Sequence, residues 1–160
     1  MMSGKKELDE FYMRQALQQA ATAFEEDEVP VGAILVHKNK VIGRGYNQTK
    51  LLKDPTAHAE MLAITAGCET LQSQHLPDTT LYVTLEPCPM CVGAMILARI
   101  ARLVYGAREE KTGACGSKVH LMADAEWNHK FKIQEGLMEF QSAALLQEFF
   151  KKKRSARRDA

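Results

Sequence analysis

The sequence lacks long apolar runs and a strong net charge, and each absence excludes a class of protein. Its apolar segments, such as residues 91–98, are far shorter than the roughly 20 residues that span a bilayer, so we expect no membrane-crossing segment. Residues 1–10 hold five charged side chains and no apolar core, which argues against a secretory signal and for a cytoplasmic location. With 46% apolar and 26% charged residues, the composition is typical of a soluble globular protein.

The net charge of +1 gives no reason to expect a nucleic-acid partner, but the charge is unevenly distributed. Residues 151–160 contain six Lys or Arg and one Asp, so they carry +5 and the remaining residues sum to −4. A solvated surface is the commoner explanation of such a basic run. There is no linker and no internal repeat. The 160 residues therefore fit a single domain over residues 1–160, with a basic C-terminal tail at about residues 151–160.

Apolar residues at helical spacing and β-branched runs alternate along the chain, and they predict helices and strands respectively. The predicted elements are, in order, a helix over 8–24, a hairpin of strands 31–36 and 41–46, a helix over 58–72, a strand over 79–85, a buried helix over 90–101, a strand over 102–106, a short strand over 131–135 and a helix over 143–154. This order predicts an α/β fold in which one five-stranded mixed sheet carries helices on both faces.

Two short motifs carry the chemistry, and each follows a loop and opens a predicted helix. They are His58-Ala59-Glu60 and Pro87-Cys88-Pro89-Met90-Cys91. Chance alone gives about 0.4 copies of His-x-Glu and about 0.07 copies of Cys-x-x-Cys in this composition, so the joint appearance is what matters. Because the cytosol keeps thiols reduced, the cysteines are better explained by metal binding or reactivity than by disulfides. A thioredoxin-like redox dithiol is the main rival interpretation of Cys88 and Cys91.

One imidazole and two thiolates form the incomplete tetrahedral shell of a catalytic zinc, which leaves the fourth position for water. Cys88 and Cys91 lie three residues apart at a helix start and can chelate the same ion, while His58 comes from another helix. Glu60 is two residues from His58, so it points away from the ligand direction and is free for proton transfer. A carboxylate beside an activated water can pass protons to a ring nitrogen and to a leaving amine, which is hydrolytic deamination.

The paired motifs resemble the signature of the zinc nucleoside and nucleobase deaminase superfamily. Within it, the whole chain is similar to the bacterial tRNA-specific adenosine deaminases, the TadA family. The most similar stretches are residues 29–33, 54–60, 81–90 and 111–114. The resemblance implies a three-layer αβα cytidine-deaminase-like fold and a homodimer with one zinc per chain. It also implies hydrolysis of the wobble adenosine of a tRNA anticodon to inosine.

The resemblance also implies roles for individual residues. His58, Cys88 and Cys91 are the zinc ligands, and Glu60 is the catalytic acid and base. Asn47, which would otherwise be interpreted as a turn residue that ends a strand, hydrogen-bonds the flipped-out adenine.

Three further residues match positions that contact the RNA in this family. In the loop after the fourth strand, the family uses an acidic residue, usually Asp, to hold the sugar next to the target, and here the aligned residue is Glu109. Phe149 and Phe150, with the basic residues after them, match the C-terminal helix that meets the anticodon stem-loop. Because the two phenylalanines are adjacent, one helical stripe cannot bury both, so we expect one in the core and one on the surface.

Two alternative functions remain open at this point. The first is a guanine or cytosine deaminase that acts on a free base with the same zinc chemistry, although a basic C-terminus suits a polymeric substrate better. The second is a non-catalytic zinc module that binds RNA or serves as a partner subunit, which the presence of Glu60 disfavours.

Overall fold

The computed structural model describes residues 2–159, with side chains from residue 4 onward, so the predicted domain ends Met1 and Ala160 lie outside the described residues. This part of the chain contains five helices and five strands. They are α1 (Met2–Glu25), β1 (Gly32–His37), β2 (Lys40–Tyr46), α2 (Ala59–Leu71), β3 (Thr79–Leu85), α3 (Pro89–Ala98), β4 (Arg102–Ala107), α4 (Leu121–Asp124), β5 (Lys132–Gln134) and α5 (Glu139–Asp159).

The strands form one mixed sheet in the order β2-β1-β3-β4-β5. β1 pairs antiparallel with β2 and β3, whereas β4 pairs parallel with β3 and with β5. The β1–β2 hairpin turns at Lys38 and Asn39, which both have positive φ (50° and 62°), as expected for a tight turn whose twist matches that of the strands. The predicted hairpin and the predicted five-stranded mixed sheet are therefore confirmed.

Helices cover both faces of the sheet, which confirms the three-layer αβα fold. Side chains alternate along β1: Leu35 packs into the core beneath α2 and α3, and its neighbours Ile34 and Val36 pack into the core beneath α1. All three are 6% exposed or less, so β1 is buried on both faces. α5 lies on the same side as α1 and packs against β3 and β4.

Helix α2 approaches the sheet closely because β2 carries glycines at the points of contact. A Cβ at Gly45 would collide with the carbonyl oxygen of Ala59, and a Cβ at Gly43 would collide with that of Ala63. The missing side chains allow the helix backbone to rest directly on the strand. As a result, the first turn of α2 lies beside the end of β2, where Asn47 follows the strand.

Several boundaries differ from the sequence-based expectations. α3 ends at Ala98 and not near residue 101, because Arg99 adopts a left-handed conformation (φ 59°) and the apolar Ile100 is buried outside the helix. α1 begins six residues earlier than predicted, and α5 continues to Asp159, so the basic residues 151–158 belong to a helix. Over residues 2–159, no helix is both long enough and apolar enough to cross a membrane.

Candidate active site

The two motifs lie close together because they stand at the starts of α2 and α3, which begin side by side. His58 is the residue before α2 and has an extended backbone (φ −75°, ψ 152°), and Cys88 holds the same position before α3 (φ −79°, ψ 171°). Pro89 occupies the first turn of α3, where a missing N–H costs nothing, and Cys91 follows in that turn. Both helix N-termini direct unpaired N–H groups and positive dipole ends to this region, which favours thiolates and other anions.

His58, Cys88 and Cys91 bring their ligand atoms within 4.8 Å of one another. His58 Nδ1 lies 3.6 Å from the sulfur of each cysteine. Zinc bonds of about 2.3 Å to sulfur and about 2.05 Å to nitrogen, at a tetrahedral angle, place S and N about 3.6 Å apart, so the group fits this metal. It has three members among the described residues, as a catalytic site requires.

The pKa values of the two thiols in this group are shifted in opposite directions. A hydrogen bond from Cys91, supported by one from His58, lowers the pKa of Cys88 to about 4. The same bond to Cys88, together with complete burial, raises the pKa of Cys91. The hydrogen bond to Cys88 also raises the pKa of His58. The group therefore contains a thiolate at neutral pH, and a thiolate is the form of cysteine that binds metals.

Glu60 lies in the first turn of α2 and is 4% exposed. Burial raises the pKa of its carboxyl group above the ordinary value of 4.5. A carboxyl group whose pKa moves toward neutrality is suited to accept and return protons. We call His58, Cys88 and Cys91 the ligand group. Glu60 is not a member of it, as its spacing to His58 in the sequence predicts.

One cavity of about 260 Å³ collects most of the predicted site residues. Asn47, His58, Glu60, Cys88 and Glu109 line it, and Cys91 lies behind them as a member of the ligand group. The other lining residues are Val29, Val31, Thr49, Ala59, Leu85, Glu86 and Thr112. The volume lies just below the roughly 300–1,000 Å³ of drug-sized ligand sites and is therefore suited to a small ligand such as one base.

A second, larger cavity of about 640 Å³ adjoins the first and shares Val29 and Thr49 with it. We call it the basic groove; its remaining lining residues are Asp27, Glu28, Lys50, Lys111, Phe149, Phe150, Lys153, Arg154 and Arg157. Phe149 is 5% exposed and Phe150 is 44% exposed, so the expected division into one core ring and one surface ring is confirmed. The structure thus places both phenylalanines beside the first cavity and not within it.

Asp27 is an acidic residue within the basic groove, and the sequence did not indicate a role for it. Its carboxylate accepts a hydrogen bond of 2.7 Å from Lys50 Nζ and also pairs with Lys153 of α5. Hydrogen bonds from Lys153 and then Lys50 lower its pKa to about 2. Asp27 thereby connects the loop after β2 to the C-terminal helix.

Two buried carboxylates beside the cavity were also missed. Glu28 is 1% exposed and accepts hydrogen bonds from the backbone N–H groups of Lys50 (3.1 Å) and Leu51 (2.8 Å). Glu86 is 2% exposed and accepts hydrogen bonds from the loop after β4. Sequence alone interprets such residues as solvated charges, and the only available signal was their place beside motifs, Glu28 before Val29-Pro30 and Glu86 before Pro87-Cys88.

Comparison with known proteins gives matches over nearly the whole chain. A family model described as MafB19-like deaminase matches residues 8–154. A tRNA-specific adenosine deaminase from Agrobacterium fabrum is 47% identical over 89% of this chain and 94% of that protein. The chloroplastic tRNA(adenine(34)) deaminase of Arabidopsis thaliana is 45% identical over 91% of this chain, which spans 12% of that longer protein.

Solved structures give the same result. A structure from a study of A-to-I editing by tRNA:A34 deaminases at the wobble position has a TM-score of 0.82 and 46% identity, and the match covers 85% of this chain and 99% of that one. A guanine deaminase from Nitrosomonas europaea has a TM-score of 0.76 and 25% identity over 88% of this chain and 83% of that one. The chain belongs to the family described as MafB19-like deaminases, and its curated relatives show that it also belongs to the tRNA-specific adenosine deaminases.

Proposed function

We propose that this protein hydrolyses adenosine to inosine at the wobble position of a tRNA anticodon and releases ammonia. One observation carries the proposal: the cavity lined by His58, Cys88 and Glu60 adjoins a groove lined by aromatic and basic side chains. The names of the relatives at 45–47% identity, which are tRNA adenosine deaminases, support the same substrate.

We assign one zinc ion per chain to His58 Nδ1, Cys88 Sγ and Cys91 Sγ. Two thiolates and one imidazole are ligands that zinc favours, and their spacing fits its tetrahedral bonds. When bound, zinc supplies a hydroxide nucleophile at neutral pH by lowering the pKa of a water molecule.

Glu60 moves the protons in this proposal. Its carboxylate takes one proton from the attacking water and gives it to a ring nitrogen of adenine. It then takes the remaining hydroxyl proton from the C6 adduct and gives it to the amine, so that the C6 carbonyl forms and ammonia leaves. Burial keeps bulk water away from this carboxylate, so the proton stays within the site. Asn47, at the end of β2, hydrogen-bonds the base, and Glu109 accepts a hydrogen bond from the sugar of the neighbouring nucleotide.

The basic groove binds the strand that flanks the target base. Phe150 offers a half-exposed ring on which an unpaired base can stack, and Lys50, Lys111 and Arg157 can contact phosphates. Extruding a base costs a few kcal/mol in a duplex and least in an unpaired loop. We therefore expect a preference for looped RNA over duplex RNA, and equal turnover of both would contradict this view.

We also propose that the active protein is a homodimer located in the cytoplasm, where tRNA is available. Leu97, in the last turn of α3, is 78% exposed, and contact with a second copy would remove this large apolar side chain from water. Light scattering after size-exclusion chromatography should give twice the chain mass, and Leu97→Glu should shift it to one chain. A monomeric wild type would refute the dimer.

The decisive experiment compares an anticodon stem-loop RNA with free guanine and free cytosine. We expect inosine in the RNA, which sequencing detects as adenosine read as guanosine at one site, and no ammonia from the free bases. Ammonia released only from a free base would instead identify a free-base deaminase.

A variant pair tests the role of Glu60. Glu60→Ala should retain zinc and RNA binding while inosine formation falls by at least about 100-fold, in line with the typical contribution of a positioned acid–base group. Glu126→Ala is the matched control, because that glutamate is 95% exposed and does not line the cavity. A zinc-loaded wild type without turnover on any base would favour a non-catalytic RNA-binding module.

A further inference from the structure

Glu86 is a buried carboxylate whose hydrogen bonds all go to one loop. It follows β3 directly, is 2% exposed, and among the described residues has no ion-pair partner. Its Oε1 accepts a hydrogen bond from Glu109 N (3.1 Å) and one from Ser117 Oγ. Its Oε2 accepts hydrogen bonds from Cys115 N (2.9 Å) and Ser117 N (3.1 Å).

These donors lie at the two ends of the loop of residues 109–117, which lines the mouth of the active-site cavity. The loop is wrapped closely around the carboxylate, because a Cβ at Gly113 would collide with the Glu86 side chain and with the carbonyl oxygen of Glu109. Ala114 N donates a second anchoring bond of 2.8 Å to Pro87 O. Glu109 and Thr112 both reach the cavity from this loop.

We infer that Glu86 is a positioning residue, which holds the 109–117 loop so that Glu109 stands at the cavity mouth and binds the nucleotide next to the target base. The inference rests on the proposed function. An ionised carboxylate that receives several N–H and O–H bonds fixes its donors more firmly than neutral acceptors do. The position of Glu109 relative to the ligand group is therefore set by the residue that lies two positions before Cys88.

Glu86→Gln tests this role with little change in side-chain volume. The amide keeps one acceptor oxygen and turns the other into a donor, which faces at least one backbone N–H group in either orientation. We expect KM for the anticodon stem-loop to rise by at least about tenfold, kcat to fall by less than about threefold, and zinc content to stay at one per chain. Ser117→Ala, which removes a single donor, should raise KM about two- to fivefold and provides the test if Glu86→Gln folds poorly.

A double-mutant cycle separates positioning from general support of the fold. If Glu86 acts through Glu109, then Glu86→Gln should add little to the KM of Glu109→Ala, whereas independent effects would multiply. Asp9→Asn is the stability control, because Asp9 is a buried carboxylate that accepts bonds from Arg102 and Tyr82 and does not line the cavity. It should lower Tm without changing KM.

The outcomes distinguish the inference from the proposed function. Wild type that deaminates the stem-loop, with a KM within twofold for Glu86→Gln and Ser117→Ala, would overturn the positioning role alone. Multiplied KM effects in the double variant would overturn it too. Wild type without turnover of the stem-loop would overturn the proposed function and the inference together.

Discussion

Truncation of the adjacent residues Phe149 and Phe150 should affect different properties: stability for Phe149 and RNA binding for Phe150. Phe149 is 5% exposed, and its ring packs edge-on against Phe24 at a centroid distance of 5.7 Å. Phe150 is 44% exposed and lines the basic groove. Phe149→Ala therefore removes a contact that holds α5 against α1, whereas Phe150→Ala removes a surface for base stacking.

The two losses differ in magnitude and in kind. Truncating a core phenylalanine costs about 3–5 kcal/mol, and the peripheral position of Phe149 between two helices favours the lower value of about 3 kcal/mol. In a domain of this size, that loss lowers Tm by about 6–12 °C. For Phe150→Ala we expect a loss of stability of about 1 kcal/mol or less, because much of the ring already meets water. The lost stacking, worth about 1–3 kcal/mol per base, should raise KM for the stem-loop about 5- to 150-fold.

Two assays on the same preparations are sufficient. Thermal unfolding followed by circular dichroism gives Tm, and steady-state inosine formation well below the lower Tm gives KM. Equal losses of Tm in the two variants would refute the assignment of Phe149 to the core. An unchanged KM in Phe150→Ala would remove that ring from the RNA-binding surface.

Further perturbations probe the groove, the loop and the metal. Asp27→Asn removes the negative charge between Lys50 and Lys153, so stem-loop binding by fluorescence anisotropy should become tighter and more salt-sensitive; unchanged binding would contradict this. Because the pKa of Asp27 is lowered to about 2, its stabilising effect is complete above its unfolded pKa near 3.8 and is lost as the pH falls through about 2. Acid unfolding followed by circular dichroism should separate wild type from Asp27→Asn in that window, and superimposable curves would refute this. Gly113→Ala should lower Tm, because its Cβ would meet the Glu86 carboxylate, and an unaltered Tm would show that the loop can yield. A chelator should abolish inosine formation and added zinc should restore it at one ion per chain by mass spectrometry, whereas activity of fully metal-free protein would exclude a metal-dependent reaction.

Elements with a strong local pattern could be predicted from the sequence. The hairpin of β1 and β2 and the places of the five strands along the chain follow from β-branched runs and their punctuation, which act over a few residues. Helix ends were harder, as α3 shows. Ile100 continues the apolar pattern but is buried outside the helix, and a pattern of burial alone cannot distinguish these two cases.

The ligand group illustrates the same division. The residue types of His58, Cys88 and Cys91 indicated zinc because imidazole and thiolate are its preferred ligands, and this inference required no geometry. Their approach to 3.6 Å depends on two helices that begin at one edge of the sheet, and that in turn depends on long-range packing such as α2 against Gly45.

The amino-acid sequence by itself determined which of the longer elements form, although not the four-residue α4, and which side chains carry the chemistry, because both depend on local spacing and on the intrinsic affinities of functional groups. Only the tertiary structure decided which ring of the Phe149–Phe150 pair is buried and which loops the carboxylates of Glu28 and Glu86 hold. The physical reason is that burial and hydrogen bonding of these groups are set by partners more than 20 residues away, whose positions no local pattern records.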